Sequence, residues 1–210
     1  MKMTKKIGIM GGTFNPIHFG HLLLAETAYE QFGLDEIMIM PTKNTYYKKM
    51  PHHVTQEQRL DMIRLAIEDN PHFHLSLEEI NREGTTYTVE TLQNLTKEHP
   101  DYEYYFIVGA DSLYHMESWY QPEEIFKMAI IVVAGRGGAS VSALESQIEY
   151  LENKFDDARI EKLYSPIMEI SSSGIRKRII QGESIRYLLP QNVVNYIEEH
   201  KVYLAEETEE

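Results

Sequence analysis

The chain has 210 residues, of which 42% are hydrophobic and 25% are charged, and its formal net charge is −13 at pH 7. This length and composition predict one soluble globular domain with a buried core, and the negative charge disfavours general attraction to nucleic acid or to an anionic membrane. The absence of cysteine excludes disulfides and thiol chemistry and suits a reducing cytoplasm.

The two ends of the chain carry charged side chains. Residues 1–12 combine basic residues with only a brief apolar run, which is a poor match to a signal peptide. The sequence holds no apolar stretch close to the roughly 18 residues of a membrane span. We expect a single domain over residues 1–204 and a frayed acidic tail over residues 205–210.

Short apolar runs alternate with segments of helical period along the chain. Gly33 is expected to close the first helix, and Thr55 with Gln58 forms a capping-box pattern at the start of the second. In the first half of the chain the pattern predicts a strand at 6–10, a helix at 21–33, a strand at 36–41, a helix at 55–70 and a strand at 73–77. It then predicts a helix at 87–99, a strand at 104–111, and a strand with a glycine turn at 129–138. The last predicted elements are a helix at 142–155, a strand entering a helix at 165–182, and a helix at 190–204.

This alternation indicates an α/β fold, in which a parallel sheet is covered by helices on both faces. Sheets of this kind bind ligands beyond the carboxyl ends of their strands, where the strand order reverses. The final residues, from about 165 to 204, are expected to form a small helical extension.

The segment "GGTFNPIHFGH" at residues 11–21 follows the first predicted strand. It matches neither the dinucleotide glycine pattern nor the P-loop. Glycines still let the backbone approach a ligand closely, and a helix start near Gly20 would offer free N–H groups and a positive dipole. His18 and His21 would lie on one face of the first helical turn. A zinc site, two core histidines and a phosphate site are the alternatives, and the setting favours phosphate.

A second phosphate-binding pattern occurs at residues 170–176, which read "ISSSGIR". Serines at a helix N-terminus supply hydroxyl and N–H donors, and Arg176, about one turn further, adds a forked cation. This set suits the β- and γ-phosphates of a nucleotide, whereas the alternative is a plain serine cap beside an exposed arginine. The candidate serines are Ser171, Ser172 and Ser173.

Residues 11–21 resemble the GGxFxPxHxGH signature of the nucleotidyltransferases that share the HxGH motif, a family that pairs it with a late ISSTxIR motif. Ser173 replaces the commoner threonine and keeps the hydroxyl. The resemblance implies a Rossmann-like doubly wound sheet. It also implies that His18, His21 and Arg176 bind the triphosphate and stabilise charge during transfer. The residues that would line the adenylate side are Gly11, Gly12, Thr13 and Phe14.

Three further segments occur in the order found in bacterial nicotinate-mononucleotide adenylyltransferases: TYT at 86–88, GAD at 109–111 and WY at 119–120. The resemblance, which runs from about residue 6 to residue 204, implies an acceptor pocket of Thr88, Trp119 and Tyr120, with Asp111 near the bound nucleotides. Trp119 would stack on the pyridine ring. Backbone N–H groups facing the nicotinate carboxylate would disfavour the uncharged amide.

Residues 42–50, "TKNTYYKKM", depart from the family pattern. Many relatives carry a Pro-Pro-His-Lys turn here, and Tyr47 stands where the loop histidine would be. We expect Lys43 or Lys48 to bind the acceptor phosphate.

The reaction implied by the resemblance is transfer of AMP from ATP to nicotinate mononucleotide, with Mg²⁺ carried by the triphosphate and no metal ligand from protein side chains. The partners would be small molecules, and the oligomeric state stays open, a homo-oligomer included. Two alternatives remain: a related enzyme that uses nicotinamide mononucleotide or phosphopantetheine, and a non-catalytic nucleotide-binding regulatory module.

Overall fold

A six-stranded parallel sheet organises the computed structural model, which describes residues 4–43, 54–135, 141–166 and 168–204. The strands are β1 (Lys5–Gly12), β2 (Glu36–Pro41), β3 (Phe73–Leu75), β4 (Tyr102–Gly109), β5 (Ala129–Ala134) and β6 (Ile160–Leu163). The helices are α1 (Phe19–Phe32), α2 (Gln56–Ile67), α3 (Thr88–Glu98), α4 (Ala110–His115), α5 (Pro122–Met128), α6 (Val141–Lys154), α7 (Ser172–Ile180) and α8 (Gln191–Glu199), with a 3₁₀ turn at Met116–Ser118. Among the described helices, each is too short or too polar to cross a membrane.

The strand order is β3-β2-β1-β4-β5-β6, and all neighbouring strands are parallel. The chain builds the sheet outward from β1 in one direction and then, from β4, in the other. The switch point therefore lies between the carboxyl ends of β1 and β4, where a ligand crevice is expected. The predicted α/β doubly wound fold is confirmed.

Alternate residues of the central strands face two separate hydrophobic clusters, because side chains in a strand alternate between its faces. On β4, Tyr105 and Ile107 join the cluster formed with α1, α2, α7 and α8. Tyr104, Phe106 and Val108 join the cluster formed with α3, α4, α5 and α6. The extension that carries Arg176 thus packs on the same face as the helix that carries the two histidines.

Local signals set the ends of several elements where the sequence predicted them. Gly33 ends α1 in a left-handed conformation with φ of 57°. A residue with a side chain would adopt this conformation at a steric cost. The Thr55 hydroxyl accepts from the Gln58 N–H at 3.1 Å, and the Gln58 side chain accepts from the Thr55 N–H at 2.9 Å. The predicted capping box is confirmed.

The C-terminal part of the chain differs from the prediction. The predicted strand in 165–182 is wrong: the last strand is β6 (Ile160–Leu163), and residues 164–166 and 168–171 have no regular structure before α7. The final helix ends at Glu199, not at residue 204. Shorter differences occur at β3, which ends at Leu75, and at β4, which ends at Gly109 so that residues 110 and 111 open α4. The predicted acidic tail lies outside the described residues.

Candidate active site

The two histidines of the first motif lie against each other at the start of α1. His18 is the N-terminal cap of the helix, and its side chain is only 5% exposed. The His18 and His21 rings are stacked, with centroids 3.7 Å apart and planes 25° apart. The spacing of three residues therefore brings two imidazoles together beyond the carboxyl end of β1, as predicted from the sequence.

Two small features of the motif shape this pair. A Cβ atom on Gly20 would lie 3.0 Å from Nδ1 of His18, which is tighter than most Cβ contacts in proteins, so the glycine makes room for the ring. Phe14 is 1% exposed and meets the His21 ring edge-on at 5.0 Å between centroids. The buried Phe14 side chain thus packs against the His21 ring, and only the backbone of Phe14 can border a ligand on the adenylate side.

The second motif reaches the loop that precedes the histidines. Arg176 donates from Nη1 to the carbonyl oxygen of Asn15 at 2.6 Å. Ser172 donates from its hydroxyl to the carbonyl oxygen of Pro16 at 2.8 Å. Two motifs that are far apart in the sequence therefore meet at the switch point of the sheet, where both could contact one chain of phosphates.

The three serines of this motif occupy different positions. Ser171 caps α7 by accepting from the Gly174 N–H at 3.1 Å, and its oxygen lies 3.3 Å from that of Ser173. Ser171 and Ser173 are exposed at the helix N-terminus, where hydroxyl and N–H donors can face an anion. The Ser172 hydroxyl already donates to Pro16, so this serine holds the loop instead of offering its proton to a phosphate.

Tyr203 is a residue of the site that the sequence did not reveal. Its hydroxyl donates to Oδ1 of the buried Asn15 at 2.6 Å, and its backbone has a φ of 71°, a conformation that bulky residues rarely adopt. Burial raises the pKa of the Tyr203 phenol, although the nearby charges of Arg176 and Arg59 act in the opposite direction. The neutral phenol therefore anchors the Asn15 side chain from the end of the helical extension.

Two of the predicted acceptor residues, Trp119 and Tyr120, each contact another aromatic ring. The Tyr87 ring, within the TYT segment, lies 4.9 Å from the Tyr120 ring between centroids. The half-buried Trp119 meets Phe106 of β4 edge-on at 6.3 Å. Phe106 in turn lies beside Gly11, whose missing Cβ would be 3.7 Å from the phenylalanine ring. Thus one aromatic ring connects the glycine turn to the tryptophan.

A buried carboxylate lies beneath the TYT segment. Glu79 accepts from the hydroxyls of Thr91 at 3.2 Å and Thr86 at 3.4 Å, and its side chain is buried. Burial raises the pKa of the Glu79 carboxyl, while these hydrogen bonds and the charge of Arg82 oppose the rise. Arg82 donates to the Thr91 hydroxyl at 2.8 Å and forms an ion pair with Glu90 of α3.

The remaining predicted residues lie around these groups. Thr88 is the first residue of α3, where helix N–H groups lack partners within the helix. Lys43 donates from Nζ to the carbonyl oxygen of Arg82 at 2.7 Å, so it lies next to the polar network under the TYT segment. Asp111 is exposed in the first turn of α4, directly after β4. Lys48 lies outside the described residues.

Arg59 is a second residue near the site that was not predicted from the sequence. It lies in the first turn of α2, is 1% exposed, and donates to the carbonyl oxygens of Thr13 and Thr42. Its position in the sequence was the available signal. A cation near a helix N-terminus is disfavoured by the helix dipole, so its presence there indicates a separate structural role.

The fold and the matching family model together place the chain among the cytidylyltransferase-like proteins. The family model described as cytidylyltransferase-like matches residues 9–178, a range that contains the first motif and the whole of the second.

Similar proteins narrow this class. The chain is 51% identical to a probable nicotinate-nucleotide adenylyltransferase of Lachnoclostridium phytofermentans, over 95% of this chain and 100% of the relative. It is 41% identical to a probable nicotinate-nucleotide adenylyltransferase of Synechococcus sp. (strain JA-3-3Ab), over 95% of each chain. The chain therefore belongs to the nicotinate-nucleotide adenylyltransferase family.

A solved structure supports the fold. The nicotinic acid mononucleotide adenylyltransferase of Plasmodium falciparum, solved in complex with NaAD, superimposes with a TM-score of 0.74 at 20% identity. The match covers 95% of this chain and 97% of the other.

Proposed function

We propose that this protein transfers the AMP group of ATP to the 5′-phosphate of nicotinate mononucleotide, giving nicotinate adenine dinucleotide and pyrophosphate. The contact between Arg176 and the carbonyl oxygen of Asn15 is the observation that carries the proposal. It joins the late cationic motif to the loop that leads into His18 and His21. Family membership at 51% identity supports the choice of reaction.

The chemistry needs positioning more than a strong base. An oxygen of the acceptor phosphate, already ionised near neutral pH, attacks the α-phosphorus of ATP in line. A new P–O bond forms, the bond between the α-phosphorus and the bridging oxygen breaks, and pyrophosphate leaves with the electron pair. Most of the barrier is lowered by alignment and by donors that face the phosphoryl oxygens. We assign this role to His18, His21 and Arg176.

Magnesium fits this site as a partner of the substrate. The side chains of the proposed phosphate site are imidazoles, a guanidinium and hydroxyls, which complement phosphate oxygens, whereas Mg²⁺ is usually bound by carboxylates and substrate phosphates. We therefore place the ion on the triphosphate, where it would neutralise part of the phosphate charge.

The acceptor side suits a flat, negatively charged ring. Trp119, supported by Phe106, offers an aromatic face, and the start of α3 at Thr88 offers N–H donors to a carboxylate. An amide in place of the carboxylate would bring N–H against N–H and lose affinity. We propose that Lys43 lies close enough to this region to bind acceptor phosphate. A cytoplasmic location stays a prediction from the absence of cysteine.

One assay separates the alternatives. Purified protein with ATP and Mg²⁺ is offered nicotinate mononucleotide, nicotinamide mononucleotide or phosphopantetheine, and pyrophosphate release is measured. We expect release with nicotinate mononucleotide to exceed release with either of the others. Equal or greater pyrophosphate release with another acceptor would assign the protein to the reaction with that acceptor. No release with any acceptor would favour a regulatory module.

A further inference from the structure

Arg59 connects the loops that leave two neighbouring strands. Its Nη1 donates to the carbonyl oxygen of Thr13, after β1, at 2.6 Å, and its Nη2 donates to the carbonyl oxygen of Thr42, after β2, at 2.9 Å. The same two loops are joined by the Thr42 N–H, which donates to the carbonyl oxygen of Gly12 at 2.9 Å. The planar guanidinium thus fixes the separation of both loops.

The charge of Arg59 is unusual for its position. A fully buried cation normally has a carboxylate partner, because taking a charge out of water is costly. Both hydrogen-bond acceptors of Arg59 are uncharged carbonyl oxygens, and its buried Nε has no acceptor among the described residues. Burial lowers the pKa of the guanidinium. Arginine nevertheless stays protonated in proteins, so the fold keeps a positive charge behind the two loops that the proposed substrates would touch.

We propose that Arg59 is a positioning residue that couples binding of ATP, on the Thr13 side, to binding of the acceptor, on the Thr42 and Lys43 side. The inference rests on the proposed function. Since one rigid fork holds both carbonyl oxygens, a ligand that orders one loop also orders the other. Phosphates bound to either loop also lie near the same buried charge, which their negative charge helps to balance.

A purely structural role would give a different result. A residue that only stabilises the core would, when replaced, lower the free energy of unfolding and leave the relative affinities of the two substrates unchanged. A coupling residue changes how strongly one substrate improves the binding of the other, which is a ratio and does not depend on the amount of folded protein.

The test compares Arg59→Lys and Arg59→Met with the wild type. Lysine keeps the charge but offers a single ammonium in place of the fork, and methionine removes both. Arg64→Met serves as the matched control, because Arg64 lies on the same helix but pairs with Glu57 and Asp61 at the surface. For each protein, the KM for ATP is measured at low and at saturating concentration of the acceptor that the wild type turns over.

We expect the wild type and Arg64→Met to show a lower KM for ATP at saturating acceptor, by about fivefold or more. The ratio should fall to about one in Arg59→Met and lie between these values in Arg59→Lys. A wild-type ratio of one, or an unchanged ratio in folded Arg59→Lys, overturns the inference even if Arg59→Met fails to fold. The proposed function is judged separately, from pyrophosphate release by the wild type.

Discussion

Arg176 and Asn15 are in contact, at 2.6 Å from guanidinium Nη1 to carbonyl oxygen, although 161 residues separate them in the chain. The guanidinium has five donors, so the hydrogen bond to Asn15 leaves others that can face a ligand. The arginine is therefore held by the loop of the first motif and can still bind phosphate beside it.

Replacing Arg176 tests this double role. We expect Arg176→Ala to lower kcat by roughly a hundredfold, because one charge-assisted contact to the developing charge is lost. Arg176→Lys should recover part of the activity, since it keeps the charge without the fork. The control is Arg178→Ala, whose side chain pairs with Glu183 at 3.1 Å and is half exposed. Equal effects of Arg176→Ala and Arg178→Ala in steady-state assays would contradict the assignment.

The stacked histidines give a second prediction. His18→Ala and His21→Ala should each lower kcat roughly a hundredfold while the circular dichroism spectrum stays native, because the lost interactions are with the reacting phosphates. His74→Ala, which alters an exposed histidine on β3, should keep full activity. Near-normal turnover in either His18→Ala or His21→Ala would refute their catalytic role.

Gly20 allows an indirect test of His18. In Gly20→Ala the new methyl group would lie 3.0 Å from Nδ1 of His18, so the ring must shift by a few tenths of an ångström. We expect a large fall in kcat with little loss of stability, since alanine is favoured over glycine in helices by up to about 1 kcal/mol. Thermal unfolding and turnover are measured on the same preparation. A variant that keeps normal turnover would show that the His18 ring position is not critical.

Trp119 separates acceptor binding from ATP binding. Trp119→Ala should raise the KM for nicotinate mononucleotide and leave the KM for ATP close to the wild-type value, because we propose that the indole stacks on the acceptor. Trp119→Phe should restore part of the affinity. Tyr164→Ala, which removes an aromatic ring that is 74% exposed, serves as the control. An effect confined to the KM for ATP would disprove the proposed pocket.

Glu79 should make stability depend on pH. Its folded pKa is raised above the ordinary 4.5, mainly by burial, so the folded state holds this proton more tightly than the unfolded chain does. Stability must then fall as pH rises from the unfolded pKa through the raised folded pKa. We expect the free energy of unfolding of Glu79→Gln, measured by urea titration from about pH 4 to about pH 7, to fall less than that of the wild type. Glu83→Gln, at an exposed position, should behave like the wild type. A slope in Glu79→Gln as steep as the wild-type slope would rule out Glu79 as its source.

The sequence predicted best the elements that depend on local signals. Residues 36–41 form a strand with the predicted bounds, and Thr55 with Gln58 forms the predicted capping box. The last strand was missed because Glu161 and Lys162 interrupt its apolar residues, as an edge strand permits. The final helix was predicted to be too long because Val202 and Tyr203 continue the apolar pattern beyond its end at Glu199. These residues lie in a turn, in which Lys201 and Tyr203 have positive φ.

In the candidate site, too, local features could be predicted from the sequence and long-range contacts could not. Both motifs could be located from their residue types and spacing, but their assignment to one phosphate site depended on the family resemblance that pairs them. Their meeting through Arg176 and Asn15 depends on how the chain returns to the first strand, which spacing alone does not contain. Contacts such as Tyr87 with Tyr120, or Arg59 with two carbonyl oxygens, likewise arise only after the sheet is assembled.

The hydrogen bond from Tyr203 to Asn15 has a consequence for biosynthesis. The ribosome makes the loop that contains Asn15 before its anchor, which follows 188 residues later, so the nascent protein carries the loop before the phenol that holds it exists. Domains generally fold as units during synthesis. Activity should therefore arise only after residue 203 has been made, and a chain that ends shortly before it should contain all six strands but lack the hydrogen bond that holds the Asn15 side chain.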